Sequence, residues 1–417
     1  MDQPAITDAA AKRNLVILWI GCFLASCSFS LVMPFLPRFI SELGVTENLY
    51  VWAGWTYAIT FVSSAIMSPI WGNLADRYGR KPMIIRSGLS IATIYLLMSL
   101  VTGPYQLFGL RILNGVFSGF IPSSIALLGT NSREEKVGRY LAILQTGSAS
   151  GQILGPMIGG LLADLLGIRP SMQVGSVLVL LGTLIVIWGV KERKLGLGKT
   201  KTSPIQDMSL AMHNKGLFAL LISTMLVSLS LQSLEPILTE YVRTLAPTPL
   251  LEQVTGFLVG SNAEATVSGF IFALPAIATI FFAPRWANLG EKIGFPKLLA
   301  IGLLLAGLLA MPQALAKTTG MMVLLRFTYG IMTAAVQPAI NAALAAAVDP
   351  SFRGRAFGIN QSFSFVGAVL GPTGGGYIAD YLGPRWVFVT TGALLMIASL
   401  WVYRRLATRL AAVQATH

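Results

Sequence analysis

Three ionisable side chains stand inside long apolar runs of this chain: Arg111, Glu235 and Arg326. An arginine at membrane depth costs about 2.5–3.5 kcal/mol on insertion scales, so each is expected to face the protein interior and to have partners. Glu235 sits in Ser233-Leu-Glu235-Pro236, and Thr224, Ser228, Gln232 and Thr239 fall around it at helical spacing. They make a polar stripe on an apolar helix, expected to face a cavity instead of lipid. A carboxyl that alternates between wet and dry surroundings can load and release a proton, and when ionised it attracts a cation. The blander reading of Glu235 is a structural ion pair or the neighbour of a proline kink. Softer cavity candidates are Ser26 and Ser30, Tyr57, Gln145, Thr333 with Gln337 and Asn341, and Gln361. For each of these a helix–helix hydrogen bond, or for Tyr57 contact with lipid, is the competing role.

Other chemistries lack their residues. Cys22 and Cys27 lie five residues apart in one run. That spacing points them to different faces of a helix and argues against a disulfide, leaving them as small packing residues. The two histidines, His213 and His417, fall in a loop and at the C-terminus and give no metal-ligand spacing. No glycine loop ending in Gly-Lys-Ser/Thr is present to cradle a nucleotide. No nucleophile–base constellation is present either. We expect no catalytic residue, no cofactor and no metal, hence no enzyme.

The elements that must carry these residues follow from composition. Of 417 residues 54% are hydrophobic and only 11% charged, against about 25% charged in a soluble domain. So little charge cannot cover a soluble protein of this length, and lipid must cover much of it. Twelve apolar runs of bilayer-spanning length recur, at 15–40, 51–73, 83–102, 105–129, 139–163, 171–190, 216–245, 264–287, 297–315, 319–346, 355–379 and 385–404. The first is too long for a signal-peptide core. A basic linker, 191–215, separates an N-terminal bundle, 1–190, from a C-terminal bundle, 216–417. The stretch 246–263 is expected to be a longer external loop with room for a short helix.

Charge gives the orientation. Of the 30 Lys and Arg, 23 fall on the side that holds both termini and the linker, five on the other side, and two inside spans. The positive-inside rule then places both termini in the cytoplasm. The formal charge of +13 is accounted for by loops facing an anionic leaflet, with no role for nucleic acid.

The halves repeat one another. Residues 138–169 align without a gap to 354–385, with half of the positions identical, including Gln145 with Gln361, Pro156 with Pro372 and Asp164 with Asp380. Pro69 and Gly79 likewise match Pro284 and Gly294. The turn after the second span reads Gly72-Asn-Leu-Ala-Asp76-Arg77-Tyr-Gly79-Arg80-Lys81, with a degenerate copy at Asn288–Gly294 in which Glu291 replaces the Asp. The fifth span carries Gly151-x-x-x-Gly155-Pro156-x-x-Gly159-Gly160, echoed by Gly367, Gly371, Pro372 and Gly375. Small residues four apart make a flat stripe along which helices approach closely. The fourth span has Arg111-x-x-Asn-Gly115 and the tenth Arg326-x-x-x-Gly330.

These motifs resemble those of the major facilitator superfamily, in particular its twelve-helix drug:proton antiporters, over essentially the whole chain. The resemblance implies an all-α polytopic membrane protein of two pseudo-symmetric six-helix bundles with a site between the halves. It implies that Gly72, Asp76, Arg77, Gly79, Arg80 and Lys81 form a cytoplasmic latch. Asp76 would meet the start of the eleventh helix, near Gly354, and hold the outward-facing state. The fifth-helix element (Gly151, Gly155, Pro156, Gly159) and its copy (Gly367, Gly371, Pro372) are characteristic of the family's antiporters, close packing without bearing on direction being the alternative. Asn114 departs from the family's commoner Gln. Because the seventh and tenth helices are neighbours in the family, a Glu235–Arg326 pair is expected. The first-half counterpart of Glu235 is Met33, before Pro34 and facing Arg111, so any protonatable carboxylate belongs to the second half.

The resemblance implies export of hydrophobic or cationic drugs, or other amphiphiles, by proton antiport and alternating access at a bacterial inner membrane; the expected partners are protons, small molecules and membrane lipid, and a monomer is expected because nothing in the sequence demands an oligomer. Two alternatives stay open: an exporter or flippase of a lipid or endogenous metabolite with the same fold, and a facilitator without proton coupling.

Overall fold

The computed structural model describes residues 8–132, 134–192, 204–249, 251, 253, 263–349 and 352–407. The described residues are almost entirely helical. Among the described residues ten helices are long and apolar enough to cross a membrane. The seventh and eleventh expected spans fall outside those ten for different reasons. The seventh is divided into Lys215–Gln232 and Leu238–Arg243, so neither piece has the length. The eleventh, Arg353–Leu382, has the length but a glycine-rich composition of lower hydropathy. With these two the twelve spans are complete.

The second, third, fifth, sixth and eighth spans run as Leu49–Tyr78, Arg80–Leu100, Glu134–Leu166, Ile168–Gly189 and Glu264–Ile293. The ninth is Phe295–Ala310 and the twelfth Arg385–Val402. Residues 193–203 of the basic linker lie outside the described residues, but its end is a helix, Pro204–His213. That places His213 in a helix instead of a loop. Most of the expected external loop, 250, 252 and 254–262, also lies outside them.

Four spans are broken, which the hydropathy pattern did not reveal. The first runs Asp8–Val32, tightens to a 3-10 turn at Met33–Phe35 and resumes at Leu36–Glu42. Pro34 and Pro37 supply the cause, since proline offers no N–H to the helix ladder. The seventh breaks at its own proline. Glu235 N donates to Gln232 O at 3.2 Å and Ile237 N to Leu234 O at 3.2 Å, bonds one residue shorter than α-helical ones. The fourth breaks between Pro104–Val116 and Phe120–Thr130, at Gly119, whose φ of 129° a side chain would strain. The tenth breaks between Thr319–Thr333 and Val336–Ala346. Broken helices 1, 4, 7 and 10 thus occupy matching places in the two halves. Broken helices are where membrane transporters expose backbone and side chains to cargo.

The corners repeat as well. Gly79, Gly167, Gly294 and Gly383 have φ between 90° and 101°. The N–H of each closes the preceding helix by donating four residues back, Gly79 to Ala75 O at 2.9 Å and Gly294 to Gly290 O at 2.9 Å. One glycine therefore ends one helix and starts the next, a geometry closed to other residues.

Packing divides the chain into two compact units. One comprises Met1–Val45, Ile59–Lys199 and Thr255–Ala273, the other Thr46–Ala58, Thr200–Val254 and Leu274–His417. The beginning of the second span therefore packs with residues of the second half of the chain, and the beginning of the eighth span with residues of the first half. Within the first unit Leu18, Cys22, Phe120, Leu128, Leu144 and Val186 form an apolar core. Within the second, Leu220, Leu299, Leu303, Ile340 and Leu395 do the same.

Candidate functional site

Glu235 lies in the break of the seventh span, at the turn Ser233–Ile237. Its side chain is half-buried, whereas Pro236 and Ile237 beside it are buried. A carboxyl there is carried by backbone outside a regular helix. Arg326, in the tenth span, is 6% exposed. The two residues act on one another electrostatically, but they form no ion pair within 4.0 Å. The direct pair expected from the sequence is therefore corrected to a through-space interaction. Arg326 turns part of its guanidinium toward the ring of Tyr329, 5.7 Å from the centroid. The Nε of Arg326, the hydroxyl of Tyr329 and the hydroxyl of Thr239 are buried without hydrogen-bond partners. Buried polar atoms without partners are costly.

The equivalent place in the first half has the same architecture and different chemistry. Met33 is buried in the 3-10 turn before Pro34. Arg111 is 1% exposed and lies near Tyr95, whose surroundings it shares with Asn114. Its backbone carbonyl accepts from the Thr60 hydroxyl at 3.2 Å. Gly115 sits so close to the second span that a Cβ there would lie 2.2 Å from the carbonyl oxygen of Thr60, which gives the Arg-x-x-Asn-Gly spacing its packing reason. Trp71 and Trp286 repeat one further contact, each indole N–H donating at 2.7 Å to a backbone carbonyl, Val116 or Ile331.

Several expected cavity residues bind neighbouring helices. Ser30 donates to Gly151 O at 3.0 Å and to Ser26 O at 2.8 Å. Ser228 donates to Ser364 O at 2.8 Å, and Thr224 to Asn360 Oδ1 at 2.7 Å. The upper part of the stripe around Glu235 therefore faces the eleventh span, a correction to the expectation that all of it faces a cavity. Asn360, which carries no sequence motif, went unforeseen for that reason. Thr333 donates to Gly330 O within its own helix. Ser26 and Tyr57 are buried, and Gln232 is half-buried. Gln145, Gln337, Asn341 and Gln361 are exposed in the described structure, and Gln337 donates to Asn341 at 3.2 Å.

The glycine stripe acts as the sequence suggested, but inside each half. A Cβ on Gly151, Gly155 or Gly159 would collide with the first span, at Phe23 O (2.4 Å), Ser30 Oγ (2.0 Å) and Leu31 O (2.4 Å). On Gly367 and Gly371 it would collide with the seventh span, at Met225 O and Leu229 O, both 2.4 Å. The stripes thus press the fifth span on the broken first, and the eleventh on the broken seventh. Pro156 and Pro372 lie within these helices without dividing them.

The loop after the second span is tied down by a residue that sequence reasoning missed. Glu192 accepts from the backbone N–H of Arg80 at 2.6 Å and of Lys81 at 2.9 Å, capping the third span. Lys81 Nζ donates to Ile187 O and Val190 O, both at 2.8 Å, and Arg80 donates to Thr130 and Ala126 O. The carboxylate of Asp76 pairs with Arg80 at 3.5 Å and is 59% exposed. Gly79 is needed for its φ of 101° and for Glu192, whose oxygen a Cβ would meet at 2.9 Å, whereas Gly72 has open space around it. Arg77 stacks beside Tyr78 at 5.3 Å.

Twelve spans, four of them broken at matching places in the repeat, with a carboxyl at one break that senses a buried arginine, fit a multi-pass membrane transporter. The sequence profile of the Major Facilitator Superfamily matches residues 18–261 and again 220–415, and the chain belongs to that family. It is 38% identical over 406 residues to the multidrug resistance protein MdtG of Salmonella schwarzengrund strain CVM19633, covering 97% of this chain and 98% of that protein. It is 37% identical over the same length to MdtG of Salmonella typhimurium strain LT2, with the same coverage. Among solved structures it is similar in fold to a bacterial homolog of the human lysosomal transporter Spinster, inward-facing and occupied, with TM-score 0.77, 16% identity, 97% of this chain and 98% of that one. It is also similar to the nucleoside transporter NupG, with TM-score 0.76, 15% identity, 94% of this chain and 100% of that one. These two likenesses concern the fold alone.

Proposed function

We propose that the protein exports hydrophobic or amphiphilic compounds, preferentially cations, by proton antiport through alternating access. In this reading it lies in a bacterial inner membrane with both termini cytoplasmic, works as a monomer, and takes protons and small molecules as partners, with lipid around it. The observation that carries the proposal is Glu235, a half-buried carboxyl at a proline break, held near but not on a buried arginine. A carboxyl locked into a tight ion pair stays ionised; one that only senses the arginine can be protonated when its surroundings dry. Proton and cationic cargo then compete for the same oxygen atoms, which couples inward proton flow to outward cargo flow. Arg326 favours proton release when the site opens to the cytoplasm. The few polar anchors among apolar neighbours suit greasy cargo better than a sugar. The multidrug names of the relatives at 37–38% identity point the same way.

The test is transport in everted membrane vesicles across a panel of cationic, neutral and lipid-like compounds. Wild type is expected to accumulate the cations when a proton gradient is applied, and Glu235→Gln is expected to lose that accumulation. Undiminished proton-driven uptake by the variant would contradict the proposal. A response confined to lipids would replace it with the flippase reading, and uptake without any gradient dependence with the facilitator reading.

A further inference from the structure

Asp164 and Asp380 occupy equivalent places in the repeat, and the transport reading leaves both unused. Asp164, near the end of the fifth span, accepts from the backbone N–H of Ala265 at 3.1 Å, from that of Thr266 at 2.7 Å and from the Thr266 hydroxyl at 2.7 Å. Those amides belong to the first turn of the eighth span, which begins at Glu264. Asp380, near the end of the eleventh span, accepts from the N–H of Tyr50 at 3.3 Å and of Val51 at 2.8 Å, in the first turn of the second span. First-turn amides have no partners within their own helix. A carboxylate there gains both charge-assisted hydrogen bonds and the favourable end of the helix dipole.

The helices below each cap are in backbone contact. A Cβ on Gly160 would lie 2.3 Å from Ala265 O, and one on Gly269 2.1 Å from Pro156 O. In the matching pair, a Cβ on Gly376 would lie 2.3 Å from Tyr50 O, and one on Gly54 2.2 Å from Pro372 O. Each contact is thus a backbone-on-backbone slide, with one glycine from each helix, closed at its tip by one carboxylate. Nothing covalent or deeply interlocked holds it, and water can replace every hydrogen bond when it parts. The positive-inside orientation puts both tips on the external side. On the cytoplasmic side, the carboxylate of Asp76 is largely exposed and paired with Arg80 of its own turn.

We infer that Asp164 and Asp380 are a pair of external clasps that hold the outer ends of the fifth and eighth spans, and of the eleventh and second, together. Both release before cargo leaves outward. Their part in transport rests on the alternating-access reading; the contacts themselves do not.

The test is distance measurement between spin labels in nanodiscs without cargo or gradient. One pair sits at Leu166→Cys and Ala263→Cys across the first clasp, the other at Glu47→Cys and Leu382→Cys across the second. Both are built in a Cys22→Ser/Cys27→Ser background, the native thiols being free and buried. In the parent each pair is expected to give one dominant short distance. Asp164→Asn is expected to raise the ratio of long to short distances at the first pair roughly tenfold, and Asp380→Asn at the second, the size expected for losing charged hydrogen bonds. Thr266→Val removes one of the three bonds to Asp164 and is expected to give a smaller rise; it carries the test should the Asn variant not fold. Unchanged distances in these variants would overturn the inference, and so would lost thermal stability with unchanged distances, which marks a purely structural cap. Because neither cargo nor protons enter the measurement, failure here is separate from failure of the antiport reading.

Discussion

The first and seventh spans break at the same point of the repeat, and only one break carries a charge. At Met33-Pro34 the backbone tightens into a 3-10 turn and the side chain is buried thioether. At Glu235-Pro236 the backbone loosens into a turn of five residues and the side chain is a half-buried carboxyl. Each break has a buried arginine in the span three further on, Arg111 or Arg326. Each is pressed by a glycine stripe, from the fifth or the eleventh span. The scaffold is therefore symmetric and the chemistry is not. In the proposed antiport reading, a broken helix of this kind becomes a proton carrier only where a titratable group is added.

The sharpest way to break this comparison is at the carboxyl. Glu235→Gln keeps shape and hydrogen-bonding capacity but removes the titratable group. It is expected to abolish uphill transport while leaving exchange of labelled for unlabelled cation across proteoliposomes intact. Loss of exchange as well would mean the residue serves binding or folding instead of coupling.

Next in size is Arg326. Arg326→Gln is expected to eliminate coupled transport, and Arg326→Lys, which keeps the charge but not the planar fork, to retain part of it. Arg111→Lys, in the half whose break has no carboxyl, is expected to affect transport rate less than Arg326→Lys. Equal losses would show that the two arginines do the same work and that the asymmetry is irrelevant.

The comparison is sharpened by moving the acid. Met33→Glu in the Glu235→Gln background places a carboxyl at the equivalent break, in the half that holds Arg111. Partial return of proton-driven uptake is expected. Correctly folded protein without any return would show that the first break cannot host the chemistry.

Smaller effects concern the scaffold. Gly155→Ala puts a methyl group 2.0 Å from Ser30 Oγ, and overpacking of this kind costs about 1–3 kcal/mol, read as a lower melting temperature. Glu192→Gln weakens the cap on the third span by about 1 kcal/mol. Gly72→Ala, with open space around it, is expected to leave the melting temperature unchanged; a marked drop would show that the turn packs differently.

The sequence made much of this legible, for reasons that can be named. The spans followed from apolar length, which the bilayer imposes on every crossing helix. The stripe at Gly151, Gly155 and Gly159 followed from spacing, because only small residues four apart allow backbones to touch. The breaks were not legible. Pro69 and Pro156 sit inside continuous helices, while Pro34 and Pro236 accompany interruptions, and hydropathy does not distinguish the cases. Partner identity was also hidden. Ser228 looked like a cavity residue until Ser364 O appeared opposite it, and Glu192 looked like linker until it capped Arg80 and Lys81. A hydrogen bond between distant segments leaves no local pattern. The repeat did flag Asp164 and Asp380 as equivalent positions, and only the structure supplied their partners at Thr266 and Val51.

The central claim, that Glu235 carries the proton that cargo displaces, is tested most directly by proton release on binding. Purified protein in weakly buffered solution with a pH indicator is mixed with a lipophilic cation such as tetraphenylphosphonium. Wild type is expected to acidify the solution on binding, and Glu235→Gln to bind the cation without acidification. Equal proton release from both proteins would contradict the account.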